Sequence, residues 1–252
     1  MEKLIEILKE FEDNRTKRES KKWDDNAIAE CFLPCAKKIL CGGYFLVNKE
    51  YIIDLGAIEL YYHEEEGCIK DYIMYHTNFH PSKSKMFDLN NGFPYFTFGS
   101  FNLHQSGVDV TFENKDKKYR ASFLIRSYRV LKPMNGFYPI NDDTEYDTHS
   151  THIYDDMFYS GLLLSTDKRT TIEWIECDKG GCVVQYPRKN VALYHENGKK
   201  TETSKDCYKE AQKEVEENKV YPKCFKYGNK YYMQDMRQWR FQLQSIKEGK
   251  NQ

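Results

Sequence analysis

Gly42 and Gly43 separate two kinds of apolar pattern, and no other feature of the chain constrains its fold as much. Before them, Leu4, Ile5, Ile7, Leu8 and Phe11 recur at helical spacing, so residues 2–12 read as an amphipathic helix. A polar run from Asp13 to Lys22 breaks that pattern. Asp24-Asp25-Asn26 then offers N-caps for a second helix through Ala27–Leu33, and Pro34 either kinks it or opens a new turn before Ala36–Leu40. After the glycines the period becomes two. Tyr44–Val47, Tyr51–Tyr62, Tyr95–Phe98, Gly107–Phe112 and Ser122–Leu131 read as strands, with Asn48-Lys49-Glu50 as a short hairpin link. Strands Thr171–Cys177 and Cys182–Tyr186 follow, then a helix from about Ser204 to Glu217 and a hairpin, Phe225–Met233, turning at Tyr227-Gly228-Asn229-Lys230.

This order predicts an α+β fold: one domain over residues 1–252 with a curved, mainly antiparallel β-sheet core, N-terminal helices, and a C-terminal helix plus hairpin. A chain of 252 residues hides roughly 70–75% of its unfolded surface, enough for a sizeable core. Its 20 Tyr and 15 Phe favour strands. Two stretches stay irregular: residues 76–94, and residues 135–156, which carry Asp142, Asp143, Asp147, His149, His152, Asp155 and Asp156. A loop as long as 76–94 is more than a connection, and such loops commonly carry function.

The net charge of −1 gives no global sign of a nucleic-acid partner. Its distribution is uneven: residues 161–252 carry 18 Lys and Arg against 13 Asp and Glu, and residues 1–160 carry 20 against 26. The basic C-terminal third suits a polyanion, and lysines on solvated helix faces explain it equally. The eight cysteines form no Cys-x-x-Cys pair, the opening MEKLIEILKE lacks the apolar core of a signal peptide, and no apolar run approaches the ~18 residues needed to span a bilayer. The expectation is a cytoplasmic protein with reduced thiols, no membrane association, no metal and no cofactor.

Two charged residues interrupt apolar strands. Glu59 lies in Ile52-Ile53-Asp54-Leu55-Gly56-Ala57-Ile58-Glu59-Leu60-Tyr61-Tyr62, and alternation puts it on one face with Leu55, Ala57 and Tyr61. Burying an ionised carboxylate is expensive unless it is paired, so Glu59 is either solvated or a general base with a raised pKa in an apolar pocket. Arg126 interrupts Ser122-Phe123-Leu124-Ile125-Arg126-Ser127-Tyr128 in the same way. The two facing each other from neighbouring strands would account for both, as a structural pair or as an acid whose water the arginine helps to orient. Aromatic residues cluster after Glu59 (Tyr61, Tyr62, Tyr72, Tyr75, with His76) and before His104-Gln105-Ser106-Gly107 (Phe93, Tyr95, Phe96, Phe98, Phe101). They are core packing, or the flat surfaces and the wedge that an enzyme needs to take a base out of a duplex. The sequence has no Gly-rich phosphate loop, nucleophile elbow or dinucleotide fingerprint.

Across about residues 33–131 the chain resembles the alkyladenine (3-methylpurine) DNA glycosylase family. The similarity is carried by Ala36-Lys37-Lys38-Ile39-Leu40-Cys41-Gly42, Glu59-Leu60-Tyr61, His76, Met86-Phe87, Gly92, Tyr95-Phe96-Thr97-Phe98-Gly99 and Leu124-Ile125-Arg126-Ser127. Residues 132–252 diverge, apart from Arg237-Gln238-Trp239-Arg240-Phe241 near the C-terminal end. The resemblance implies a monofunctional enzyme that flips a modified, possibly alkylated, base out of double-stranded DNA and needs no metal. In it Glu59 would activate water for attack at the sugar C1′, and Arg126 would hold the acid and the water. Tyr61 and His76 would sandwich the base, Phe98 or Tyr95 would wedge the duplex, and His104 or Gln105 would stand near the family's asparagine. The alternative is a non-catalytic protein of the same fold that binds nucleic acid or a small ligand.

Overall fold

The computed structural model describes residues 1–18, 23–74, 95–139, 143–159, 170–195 and 199–245. Helix α1, Glu2–Arg18, buries Leu4, Ile7, Leu8 and Phe11, the stripe expected of one helical face. It runs on through the polar residues from Asp13, past the expected end at residue 12. Arg15 explains this: its Nε donates to the Tyr62 hydroxyl at 3.0 Å, and its guanidinium lies 5.0 Å over the Tyr119 ring. Helix α2, Asp25–Cys41, is capped by Asp24, whose side chain accepts from the Ala27 amide, and it is continuous through Pro34. Burial of Ala27, Ile28, Cys31, Phe32, Cys35, Ala36, Ile39 and Leu40 on both sides of the proline holds the two halves in line.

Gly42 ends α2 by donating to the Lys38 carbonyl, and the sheet begins at once. Strands β1 (Gly43–Val47), β2 (Tyr51–Glu64), β3 (Phe101–His104), β4 (Gly107–Thr111), β5 (Tyr119–Leu131), β6 (Ile172–Glu176), β7 (Val183–Tyr186) and β11 (Arg240–Leu243) form one curled antiparallel sheet. Its order is β3-β4-β5-β2-β1-β6, with β11 joining β2 to β7. A smaller sheet joins β8 (Glu202–Thr203), β9 (Cys224–Tyr227) and β10 (Lys230–Met233) beside α3 (Lys205–Asn218), whose N-cap is Ser204. At Gly43 only a glycine fits, because a Cβ there would meet the Trp174 ring at 2.4 Å and the Ile175 carbonyl oxygen at 2.7 Å. The chain is thus one α+β domain with a half-barrel sheet, N-terminal helices, and a C-terminal helix with its hairpin.

Strand β2 organises the domain. One edge pairs with β5 from Ile52 to Glu64. The other pairs with β1 at Tyr51–Ile53 and with β11 at Ala57–Glu59, so the sheet divides beside residues 54–56. Helices α1 and α2 cover the face of β2 that carries Ile53, Leu55, Ile58, Leu60 and Tyr62. Phe11 and Phe32 meet Phe112 there at 5.3 and 5.5 Å between ring centres. Each buried Phe contributes roughly 1.5–3 kcal/mol, so this layer dominates the stability.

Three expectations need correction. Tyr95–Phe98 is not a strand: the Phe96 amide donates to Glu113, and the chain turns at Phe98-Gly99, where the Gly99 φ is +76°. Three strands, β3, β8 and β11, lie outside the expected elements. Leu55 lies on the helix-covered face, not with Glu59, because the register slips between Leu55 and Ala57. A one-residue bulge at Gly56 exchanges the two faces. The loop expected at 76–94 lies outside the described residues, as does His76. All eight cysteines are unpaired. No described helix is long and apolar enough to cross a membrane.

Candidate functional site

On the sheet face away from the helices, the register sets Asn102, Asp109, Leu124, Glu59, Arg240 and Tyr186 abreast across six strands. A row this polar inside an apolar sheet needs compensation, and Glu59, with no exposed surface, has it. Its Oε1 accepts the Lys189 amide at 2.8 Å. Its Oε2 accepts the Tyr61 hydroxyl at 3.2 Å and lies 3.3 Å from Arg126 Nε. Arg126 reaches it through a second register slip. Pairing with β2 passes from Ser127 to Ile125 and skips the arginine, so its side chain is re-aimed. Burial works against the Arg126 charge, yet Glu59 and then Tyr61 hold its pKa above the ordinary value. Burial, followed by the Glu59 charge, pushes the Tyr61 phenol far up, so it stays a proton donor to the carboxylate.

Tyr61 is also held from behind. The guanidinium of Arg188, itself fully buried, lies 4.6 Å over its ring and 5.1 Å over Trp239. Arg188 bonds to Asp71 at 2.6 and 3.0 Å and to Asp235 at 2.6 Å. Arg237 closes the group through Asp71 at 3.0 Å and through Asp235. Two cations and two carboxylates therefore form a compact group under Tyr61, with Asp25 at its edge 3.7 Å from Arg237.

Among the described residues, the structure thus brings Glu59, Arg126 and Tyr61 together and leaves Tyr95, Phe98, His104 and Gln105 elsewhere. Phe98 packs against the helix-covered core, so its wedge role has no geometric support. Tyr95 lies beneath Arg120, 4.2 Å from ring centre to guanidinium. His104 Nε2 is 3.1 Å from Asp109, and Gln105 is exposed at the turn between β3 and β4.

A second polar group on the same face escaped the sequence reading. Asp54, with no exposed surface, receives Lys179 Nζ on Oδ1 at 2.6 Å. Its Oδ2 receives Arg129 Nε at 2.8 Å and the hydroxyls of Tyr138 and Tyr146, each at 2.7 Å. Burial opposes ionisation of Asp54, but Lys179 and the two phenols outweigh it and hold the pKa below the usual carboxylate range. A cavity of about 610 Å³ opens beside this group. The signal was available: Asp54 interrupts Ile52-Ile53-Asp54-Leu55 just as Glu59 interrupts its neighbours.

Of the Asp/His-rich stretch, Asp147, His149 and His152 offer ligand atoms within 4.8 Å of one another, the residue types a divalent cation accepts. Both imidazoles already bond the carboxylate, at 3.1 and 2.7 Å.

His63, at the far end of β2, accepts the Asp71 amide on Nδ1 at 3.1 Å, so it is held neutral. Burial, against the pull of Asp71, moves its pKa down to about 4. Because the folded value is below the unfolded one near 6.5, stability is complete above pH ~6.5 and is lost as pH falls toward 4. The loss should be roughly 3 kcal/mol, read from urea midpoints across that window. His63→Gln should flatten the slope, and an unchanged slope would assign it to other groups.

No family model matches the chain, and no curated protein or solved structure matches it.

Proposed function

We propose that the chain is a monofunctional DNA glycosylase, with Glu59 as the base that activates water for attack at the sugar C1′. The observation that carries this reading is the contact between Glu59 and Arg126. Both were singled out as charges in apolar strands, and they meet at 3.3 Å in a region closed to solvent at the carboxylate. A carboxylate has about four acceptor positions, and the described partners of Glu59 use three, leaving one for a water. Arg126 pairs with the acid, and the Tyr61 hydroxyl fixes Oε2. A flipped base would lie against Tyr61 and His76. The reading requires the Lys189 segment, whose amide caps Oε1, to lift when duplex DNA binds.

The test is release of modified bases from double-stranded oligonucleotides, scored as abasic sites over several alkylated and deaminated lesions. Glu59→Gln should fold and lose about 100-fold or more of the activity, the range for a general base. Base release by the Gln variant at the parent rate would refute the role of Glu59. No release of any lesion by the parent protein would remove the enzyme.

One observation favours a second reading, a binding protein of the same fold without catalysis. Glu59 is closed by its own partners, while the open cavity lies beside Asp54. On that reading Glu59→Gln leaves ligand binding intact.

A further inference from the structure

We infer that the cavity beside Asp54 binds a small organic oxyanion, a carboxylate or a phosphate ester, through Lys179 and Arg129. This site is independent of the glycosylase reading. It begins with the division of the sheet: between β1 and β11 the edge of β2 is unpaired at residues 54–56, and the turn joining β6 to β7 crosses the gap. The Lys179 amide donates to the Cys41 carbonyl, which fixes that turn and puts Nζ on Asp54.

Unspent donors at the cavity wall point to an anion. Lys179 and Arg129 share one buried carboxylate there, Asp54. The exposed Asp143 lies on the rim, and the neighbouring Asp178 is turned to the Gly180 amide. Lys179, with its side chain 6% exposed, uses one of three N–H donors on Asp54, and the others have no partner among the described residues. Asp54 cannot take them: its Oδ2 already receives Arg129 and two phenols. A buried ammonium with unspent donors is costly, and an oxyanion in the cavity would satisfy it. Burial also holds the Lys179 pKa below its ordinary value despite Asp54, a deficit that a bound anion would offset.

The walls suit an organic body attached to that anion. Gly180 and Gly181, at φ +64° and +106°, carry the chain round the opening without side chains. Tyr138, Tyr146 and Leu243 supply rings and an apolar surface, and about 610 Å³ lies in the range of small-molecule sites.

The experiment is calorimetric titration of the full-length protein with phenyl phosphate, benzoate and inorganic phosphate. Saturable binding of phenyl phosphate or benzoate is expected, with the stronger of the two naming the anion. Inorganic phosphate should bind at least about tenfold more weakly, since the rings add contact. Ser245→Trp and Thr144→Trp fill the cavity from two separate segments of its lining, and neither residue is a partner of Asp54. Each should reduce affinity about tenfold or more at unchanged melting temperature, so failure of one to fold leaves the other. Lys179→Met should abolish binding, and Glu59→Gln should bind as the parent does. Absence of saturable binding by both aromatic anions, or binding unchanged in the blocked variants, would overturn the site.

Discussion

Arg188→Met lowers stability by about 3–5 kcal/mol, the range for removing one partner of a buried ion pair. Asp71 has no exposed surface and Asp235 is 2% exposed, and each loses its 2.6 Å bond to Arg188. Arg237 remains as the single cation for two carboxylates. In the parent protein burial pushes Asp235 up, while Arg188 and Arg237 more than reverse this and hold its pKa very low. With Arg188 gone, Asp235 stays buried and loses the leading influence that lowers its pKa, so that value should rise. The parent loses the stability held by the low Asp235 pKa as pH falls below about 4, and the variant has less of it to lose, so its deficit narrows as pH falls. Urea unfolding followed by the fluorescence of Trp239, 5.1 Å from the guanidinium, reads both effects. Replacing Asp71 and Asp235 by Asn in the same background should restore part of the loss. A deficit under about 1 kcal/mol at neutral pH would mean that the network contributes little net stability.

This network also shows where sequence reading stops. Helix caps, the period change at the paired glycines and the Gly228-Asn229 hairpin are local features, and they were legible because local chemistry decides them. Glu59 and Arg126 were legible because an apolar strand makes a charge conspicuous. Strands β3 and β11 were not, because Asn102, His104, Arg240 and Gln242 face the polar side and dilute the apolar signal. The face of Leu55 turned on a single bulge, which exchanges inside and outside for everything beyond it. Arg188 and Lys179 lie outside the regular strands, and their partners Asp71 and Asp54 are 117 and 125 residues away. Nothing local marks such pairs. Asp54 was as visible as Glu59, but what it does depends on loops that no periodicity places.

Asp54→Asn is the second large effect, again about 3–5 kcal/mol, and it separates a structural anchor from a charge that only decorates the cavity. The substitution keeps the shape and removes the negative charge on which Lys179, Arg129, Tyr138 and Tyr146 converge. Lys179, its side chain 6% exposed, is left as a buried ammonium without its counter-charge. Burial already depresses its pKa, and loss of Asp54, the leading influence that raises it, should depress it further. The folded value then falls further below the unfolded one, so the unfolded chain binds more protons and stability rises with pH. The deficit of the Asn variant should therefore shrink toward alkaline pH, where Lys179 loses its proton. Adding Lys179→Met should recover part of the loss, because the buried ammonium is then gone, and a double-mutant cycle measures the coupling. If Asp54→Asn and Lys179→Met prove additive within about 0.5 kcal/mol, the 2.6 Å ion pair does not bind the turn to the sheet, and the cavity wall must be held by other contacts.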